Sequence, residues 1–223
     1  MGNKKDIMKK IKSALISLSD KSNLESLLKI LKKNNIKLIS SGGTFKEIQK
    51  LKYKCLEVSS FTGSNEILNG RVKTLHPKIH AGILNKRNNK SHLKDLKSNN
   101  YENIDLVIVN FYPFEQTLKK TKKYTKIIEN IDIGGPTMVR AAAKNYNDVT
   151  VITSIDSYSE LINELKLNNG STSLNFRRKM ARLAFSETAY YDSIIANYFN
   201  NNSNIYFPQK KIINTNLIEK LRY

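Results

Sequence analysis

The sequence predicts an α/β fold: an open parallel sheet flanked by helices on both faces, with a C-terminal helical extension. Apolar runs of strand length alternate with segments of helical periodicity. The runs lie at residues 14–18, 36–39, 106–111 and 149–153, with a shorter candidate at 56–58. The run at 106–111 is uniformly apolar, which indicates a strand covered on both faces. Strand, loop and helix in repetition are typical of a parallel sheet.

Helical periodicity marks the segments between these strands. Leu24, Leu27, Leu28 and Leu31 share one face of a first helix, and further helices are predicted at residues 45–51 and 158–167. Apolar residues from 180 to 198 mark one face of a long final helix. Residues 61–90 are rich in Gly, Asn, His and Lys, so we expect them to be irregular.

Length and composition suit one main domain with short appendages. We divide the 223 residues into a basic lead-in (1–12), a main domain (13–199) and a linker with a tail (200–223). No apolar run approaches the roughly 18 residues of a membrane span, and the start lacks the apolar block of a secretory signal. The single cysteine, Cys55, cannot form an internal disulfide. We therefore expect a cytoplasmic protein that makes no membrane contact.

The net charge of +19 indicates an anionic partner, either a small substrate or a nucleic acid. Lysines are scattered over nearly every predicted helix, however, with no arginine-rich stripe and no aromatic residues interleaved along a basic segment. This scatter favours solvated faces over a nucleic-acid surface, so we expect no nucleic-acid partner. The alternative, a basic nucleic-acid-binding module, predicts steeply salt-dependent binding to unrelated oligonucleotides.

Two loops at the carboxyl ends of the first strands could bind a phosphate, because ligands gather at this edge of open α/β sheets. Ser19-Asp20-Lys21 is expected to cap the first helix, and Ser41-Gly42-Gly43-Thr44 opens the next. Glycines allow close backbone approach, and free N–H groups and the helix dipole favour an anion. Hydroxyl groups of Ser41 and Thr44 and the charge of Lys21 would add to this. The simpler alternative is a tight turn with a threonine cap. Neither a Walker loop nor a dinucleotide fingerprint is present.

Three later segments concentrate polar and charged groups. The first is Gly-Arg-Val-Lys-Thr-Leu-His-Pro at residues 70–77. The second, Asn-Phe-Tyr-Pro-Phe at residues 110–114, follows the most apolar strand. The third, Asp-Ile-Gly-Gly-Pro-Thr at residues 132–137, leads into Arg-Ala-Ala-Ala-Lys-Asn at residues 140–145.

In this order, the segments resemble the inosine monophosphate (IMP) cyclohydrolase domain of the bifunctional purine-biosynthesis family, whose other half is a transformylase. The resemblance runs from about residue 13 to residue 199. It implies a fold like that of methylglyoxal synthase, a purine ribotide as the small-molecule substrate, no cofactor, no metal, and a homodimer. Residues 207–208 and 221–223 resemble the junction to the transformylase half. A fragment of a longer protein and a free-standing cyclohydrolase both remain open.

The resemblance also implies roles for individual residues. Lys73, Tyr112, Asp132 and Lys144 would surround the reacting groups, with Lys144 and Asp132 handling protons and Lys73 and Tyr112 stabilising an oxyanion. Arg71, Thr74 and Asn110 would orient the substrate. The residues expected near the ribotide phosphate are Ser19, Asp20, Lys21, Ser41, Gly42, Gly43 and Thr44.

These roles have simpler alternatives. Asp132 could cap the helix that starts near Pro136, Lys144 could be an ordinary residue near a helix end, and Tyr112 could pack at a strand terminus. His76 and His80 are four residues apart, but Pro77 lies between them and no third ligand is near, so we expect no metal site.

Rival families share the expected architecture. Methylglyoxal synthase and the regulatory domain of carbamoyl-phosphate synthetase both resemble the glycine-rich helix entry, but neither explains the segments at 70–77 and 140–145. A regulatory, non-enzymatic module predicts ribotide binding without turnover.

Overall fold

A computed structural model of the chain describes residues 7–203 and 205–215. The strands are β1 (Lys9–Lys10), β2 (Ser13–Leu18), β3 (Lys37–Ser40), β4 (Leu56–Glu57), β5 (Leu106–Asn110), β6 (Thr150–Ile152) and β7 (Ser171–Thr172). Five of them form a parallel sheet in the order β4-β3-β2-β5-β6, while β1 and β7 form a separate antiparallel pair. The predicted α/β class with a parallel sheet is confirmed.

The sheet is built outward from its two central strands. Leu15 of β2 lies between Ile39 of β3 and Val107 of β5, and all three side chains are fully buried. The strand order runs from β2 to β4 in one direction and from β5 to β6 in the other. The crevice beyond the carboxyl ends of β2 and β5 is therefore the switch point at which open α/β sheets bind ligands.

Helices flank the sheet and continue into a long C-terminal extension. They are α1 (Leu24–Lys33), α2 (Gly42–Lys50), α3 (Val58–Thr62), α4 (Pro77–Leu84), α5 (Lys90–Ser98), α6 (Phe114–Lys120), α7 (Tyr124–Glu129), α8 (Gly134–Lys144), α9 (Tyr158–Leu167) and α10 (Leu174–Asn202). One group packs α1 against α9, and another packs α8 against both α4 and α10. No helix of the described residues combines the length and apolar composition needed to cross a membrane.

The structure is more regular between residues 61 and 90 than we expected. This segment contains α4, the start of α5 and a 3-10 turn at Leu68–Gly70. Pro77 stands in the first turn of α4, where its missing N–H costs nothing, and His76 caps the helix by accepting the Lys78 N–H through Nδ1. Local capping therefore overrides the polar composition.

The final helix begins earlier than its apolar stripe indicates, because the Ser173 hydroxyl caps it by accepting the Phe176 N–H at 3.2 Å. Near this start, the fully buried Arg177 donates to the carbonyls of Tyr146, Asn147 and Ile7. It thereby ties α10 to the loop before β6 and to the chain before β1. Of the predicted junction to a second half, residues 221–223 lie outside the described part of the chain.

Candidate active site

A cavity of about 500 Å³ opens at the switch point of the sheet, at the carboxyl ends of β2, β3 and β5. Its volume is in the range of small-molecule sites. The structure brings together here all of the predicted site residues except Asp20 and Lys144. The predicted residues that line it are Ser19, Lys21, Ser41, Gly42, Gly43, Thr44, Arg71, Lys73, Thr74, Asn110, Tyr112 and Asp132.

One side of the cavity is the start of α2. Ser41 makes no side-chain capping bond, so the first-turn amides of the helix remain available to a ligand. The Nζ atoms of Lys73 and Lys21 lie 3.1 Å and 3.7 Å from where a Cβ would stand on Gly42 and Gly43. The two ammonium groups and the positive end of the α2 dipole repel one another. An anion bound between the lysines and the helix start would offset this repulsion. Gly42 also has φ of +54°, which favours glycine.

The start of α2 with Lys21 and Lys73 forms a candidate anion cradle, and Thr44 contributes less to it than we predicted. Its side chain is buried, and its Oγ1 accepts the Leu18 N–H at 2.8 Å while donating to the Leu18 carbonyl at 3.0 Å. The single hydroxyl proton is therefore used to tie α2 to the end of β2. Thr44 can offer a ligand its backbone N–H but not its hydroxyl donor.

Asp20 and Asn110 both have structural roles, and their predicted substrate contacts stay predictions. Asp20 does not line the cavity, and its carboxylate accepts from the N–H and hydroxyl of Ser22 at 2.8 and 2.7 Å. The Asn110 side chain lines the cavity, but its Oδ1 accepts from Ser19 N–H and Asp20 N–H, and its Nδ2 donates to the Asp20 carbonyl. Asn110 thus shapes the turn after β2. The predicted cap of α1 is absent too, because its N-cap is Asn23, without a side-chain bond.

Asp132 lies on the opposite side of the cavity, at the entry to α8. Burial raises the pKa of its carboxyl group, and hydrogen bonds from the Gly135 and Tyr112 backbone N–H groups partly oppose that rise. The bond from Gly135 N–H to Oδ1 is 2.8 Å long. A Cβ on Gly135 would come within 2.5 Å of Asp132 Oδ2, so only glycine permits this contact. Asp132 therefore caps the helix and also faces the cavity.

A tyrosine of the long helix α10 fixes the loop that carries Asp132. The Tyr191 hydroxyl accepts the Asp132 N–H at 2.8 Å and lies 3.3 Å from the Asn130 carbonyl, to which it donates. Burial raises the pKa of Tyr191 to about 12, so the group stays a neutral phenol. Its ring packs on Phe111 and Phe114. The C-terminal helix thus supports the site without lining it.

Two ion pairs restrain the cations of the segment at residues 70–77. Lys73 Nζ lies 3.1 Å from Glu66 Oε2, and Arg71 lies 3.5 Å from Glu129. Glu129 lines the cavity itself. Both cations must loosen these pairs to meet a substrate anion, and partly exposed pairs of this kind are worth only about 0–1 kcal/mol. They position the cations without locking them.

Tyr112 and Thr74 complete the rim. The Tyr112 side chain is about half exposed, directly after β5, and its phenol can donate to a ligand. Thr74 is buried, and its Oγ1 lies only 2.7 Å from where a Cβ would stand on Gly134. Gly134 at the start of α8 therefore lets the segment at residues 70–77 pack closely against the helix.

Lys144 does not line this cavity within the single chain, so its predicted pairing with Asp132 stays a prediction. It is the last residue of α8, whereas Asp132 precedes the first, and 11 helical residues separate the two ends by about 15 Å. Lys144 lines a different groove, between α8 and α10. Its position near the helix end matches the simpler alternative.

Glu66, Glu129 and Tyr191 were missed by the sequence reasoning. The first two precede or follow the recognised motifs by a few residues, and a search for carboxylates near the predicted cations could have found them. Tyr191 had no local signal, because its hydrogen bond with Asp132 crosses 59 residues.

His76 and His80 lie in different surroundings. His76 Nε2 lies 3.2 Å from the Ser64 hydroxyl, while burial lowers the pKa of His80. Within residues 7–203 and 205–215, no three His, Cys, Asp or Glu side chains cluster as metal ligands.

Two family models match different parts of the chain. The MGS-like domain model matches residues 23–137, and the AICARFT/IMPCHase bienzyme model matches residues 142–223. The first covers three strands of the sheet (β3, β4 and β5) and most of the cavity. The second covers the end of α8, the edge strand β6, and α9 and α10.

Curated relatives extend the similarity to nearly the whole chain. The bifunctional purine biosynthesis protein PurH of Bradyrhizobium diazoefficiens is 44% identical over 98% of this chain and 41% of its own length. PurH of Acetivibrio thermocellus is 45% identical over 96% of this chain and 42% of its own length. The chain therefore spans about two fifths of the length of these relatives.

A solved structure shares the fold. The crystal structure of ForH superimposes with a TM-score of 0.75 and 28% sequence identity, over 85% of this chain and 99% of that one. The resemblance drawn from the motifs is thus confirmed. The chain belongs to the MGS-like domain family, and over nearly all its length it is homologous to the PurH bifunctional purine-biosynthesis proteins, matching the part that carries the IMP cyclohydrolase.

Proposed function

We propose that this chain catalyses the dehydrative ring closure of 5-formamidoimidazole-4-carboxamide ribotide to inosine monophosphate. The observation that carries the proposal is the two-sided cavity. An uncapped helix start with two ammonium groups shares a cavity of about 500 Å³ with the partly buried carboxyl group of Asp132. A ribotide has a phosphate at one end and reacting amides at the other, so it matches both sides.

The reaction joins the carboxamide nitrogen to the formyl carbon. An amide nitrogen is a poor nucleophile, so holding the two groups together is the first requirement, and a phosphate anchored at α2 supplies it. Asp132 then accepts the proton that leaves nitrogen. The raised pKa of its carboxyl group makes it a stronger base than an exposed aspartate, and proton transfer of this kind contributes about 10²–10⁴-fold.

Charge develops on the formyl oxygen as the carbon–nitrogen bond forms. Tyr112 and Lys73 line the same cavity and can donate hydrogen bonds to this oxygen without acting as competing nucleophiles. The oxygen leaves as water after it has gained two protons, one lost by the carboxamide nitrogen and one lost by the formamide nitrogen. The electron pair left on the formamide nitrogen forms the carbon–nitrogen double bond that completes the ring. Asp132 can return the proton that it accepted, so the proposed mechanism requires no Lys144.

The expected homodimer and the cytoplasmic location are part of the proposal, as is the absence of a cofactor. The homodimer is supported by the prevalence of closed symmetric dimers among oligomers. The cytoplasmic location is supported by the single free cysteine, Cys55. The transformylase activity of the longer relatives is not proposed for this chain.

The test is an ultraviolet assay of the purified chain with the formamido ribotide, without metal or folate, following IMP formation. We expect turnover that falls at least a hundredfold in Asp132→Asn. Binding of IMP by calorimetry without any turnover would instead support the regulatory module. Neither turnover nor binding in a folded sample would refute the proposal.

A further inference from the structure

The side chain of Lys73 reaches the start of α2 through a slot between two glycines that line the cavity. Its Nζ lies 3.1 Å from the position that a Cβ would take on Gly42, and 3.1 Å from the same position on Gly70. Its Cε is closer still, 2.7 Å from the Cβ position of Gly70. Real Cβ atoms essentially never come within 3.0 Å of such an atom, so the path of Lys73 requires glycine at residue 70.

Backbone hydrogen bonds hold Gly70 in place. Two of them close the turn around it: the Ile67 N–H donates to the Val72 carbonyl at 3.2 Å, and the Gly70 N–H donates to the Ile67 carbonyl at 3.1 Å. Gly70 itself has a φ of +84°, in the left-handed region that favours glycine. Because the turn is fixed, a side chain added at residue 70 could not swing away from the slot, and the lysine would have to move instead.

Moving the lysine would cost the fold little. Lys73 meets the Cβ position of Gly70 with the far end of a flexible side chain, through Cε and Nζ. The ammonium group is held by Glu66, whose Oε2 lies 3.1 Å from Nζ and 3.4 Å from the same Cβ position. Partly exposed ion pairs of this kind contribute little to stability. Crowding at residue 70 would therefore displace an ammonium group within the cavity without unfolding the chain.

We propose that Gly70 is a positioning residue of the candidate active site, because its lack of a side chain lets Lys73 hold its ammonium group at the start of α2. The catalytic consequence rests on the proposed function, in which Lys73 stabilises the developing oxyanion. The alternative is that residue 70 is glycine only for its positive φ. Gly63 separates the two explanations. It has a φ of +78° at the C-terminal end of α3, yet no described atom beyond its chain neighbours lies within 4 Å of its Cβ position.

The first experiment compares Gly70→Ala and Gly70→Asn with the matched controls Gly63→Ala and Gly63→Asn, by thermal melting and by the IMP assay. Alanine is strained at a positive φ, so both alanine variants should melt about 2–8 °C lower. Asparagine tolerates a positive φ better, so both asparagine variants should melt closer to the unmodified chain. Turnover should instead follow crowding. We expect kcat/KM to fall about 10–100-fold in both residue-70 variants and to stay within about twofold in both controls.

A double-mutant cycle tests whether the effect passes through Lys73. In a Lys73→Ala background the slot is empty, so adding Gly70→Ala should lower kcat/KM by no more than about twofold further. A full additional loss would mean that the turn disturbs another part of the site, and it would overturn the proposal. Equal activity losses at residues 63 and 70, or losses that follow the melting temperature, would overturn it as well.

The second experiment needs no turnover, so it separates this proposal from the proposed function. Limited acetylation with peptide mass spectrometry compares the Lys73 amine with that of Lys29, whose side chains are 29% and 65% exposed. Relative labelling of Lys73 should rise several-fold in Gly70→Ala and stay unchanged in Gly63→Ala. Unchanged labelling in Gly70→Ala would overturn the positioning role even in an active enzyme. Raised labelling in a chain that forms no IMP would support the positioning role and refute the proposed function.

Discussion

The two ends of α8 do different things although they are neighbours in sequence. At its N-terminal end, two glycines and a partly buried aspartate line the candidate active-site cavity. At its C-terminal end, Arg140 and Lys144 line an open groove against α10. Residues 132–145 look like one continuous motif in the sequence. A helix of 11 residues divides that motif between two surfaces about 15 Å apart.

The two ends also differ in how their charges are compensated. Asp132 has backbone donors, a capping role and support from Tyr191. At the other end Arg140 lies over the Phe185 ring, and neither Arg140 nor Lys144 pairs with a carboxylate of the described residues. A preorganised, partly desolvated group suits chemistry, whereas exposed cations suit binding. The comparison therefore predicts that substitutions at the two ends affect different measurements.

The largest expected effect is that of Asp132→Asn. The amide oxygen can still accept the Gly135 N–H, so the fold should survive, while turnover should fall about 10²–10⁴-fold because the base is lost. The raised pKa of Asp132 gives the sign of the pH dependence. Turnover in the unmodified chain should decline on acidification through a pKa above the usual aspartate range of about 4. If the residual turnover of Asp132→Asn declined at low pH in the same way as that of the unmodified chain, Asp132 would not be the titrating base.

The next effect is that of Tyr191→Phe. It leaves the Asp132 N–H without its acceptor in a buried setting, which should cost about 1–3 kcal/mol of unfolding free energy and lower kcat several-fold with little change in KM. Urea unfolding measures the loss of stability, and steady-state kinetics measure kcat and KM. Tyr198→Phe is the control, because Tyr198 belongs to the same aromatic cluster and packs on Phe114 through its ring. Equal kinetic losses in both variants would show that packing alone is at work.

A smaller effect is expected for Glu66→Gln, which frees Lys73 from its 3.1 Å ion pair. Loss of a carboxylate beside the anion cradle should leave KM unchanged or lower it, while kcat falls a few-fold because Lys73 is less well positioned. Glu129→Gln offers the parallel change at Arg71. A raised KM with normal kcat would mean that Glu66 itself contributes to substrate binding.

The smallest expected effect is that of Lys144→Ala on turnover. Since Lys144 lies at the far end of α8, the rate of IMP formation should stay within about twofold of the unmodified chain. A loss as large as that of Asp132→Asn would break the comparison between the two ends. It would require Lys144 to reach the cavity of a second copy of the chain, which light scattering of the active species would then test.

The sequence alone was sufficient for the sheet and for most of the cavity. Uniformly apolar runs marked the buried strands, and the loop after the second of them placed the Ser41–Thr44 turn at the carboxyl edge of the sheet. The family resemblance supplied Tyr112 and Asp132, which line the same cavity. Motif content identified Arg71 and Lys73 as well. The motifs did not show which hydroxyl and amide groups are free to contact a ligand. In Thr44 and Asn110 these groups instead bond to the backbone at the end of β2.

What the sequence determined, then, is the periodic part of the molecule, namely strand and helix type, together with the glycines that line the cavity and the family. Those features depend on local pattern and on short spacings. The tertiary structure decided which polar atoms remain free, how Tyr191 reaches Asp132 across 59 residues, and that Lys144 faces a different surface. The physical reason is that hydrogen-bond partners and helix length act in three dimensions, so residues close in a motif can be separated and distant ones joined.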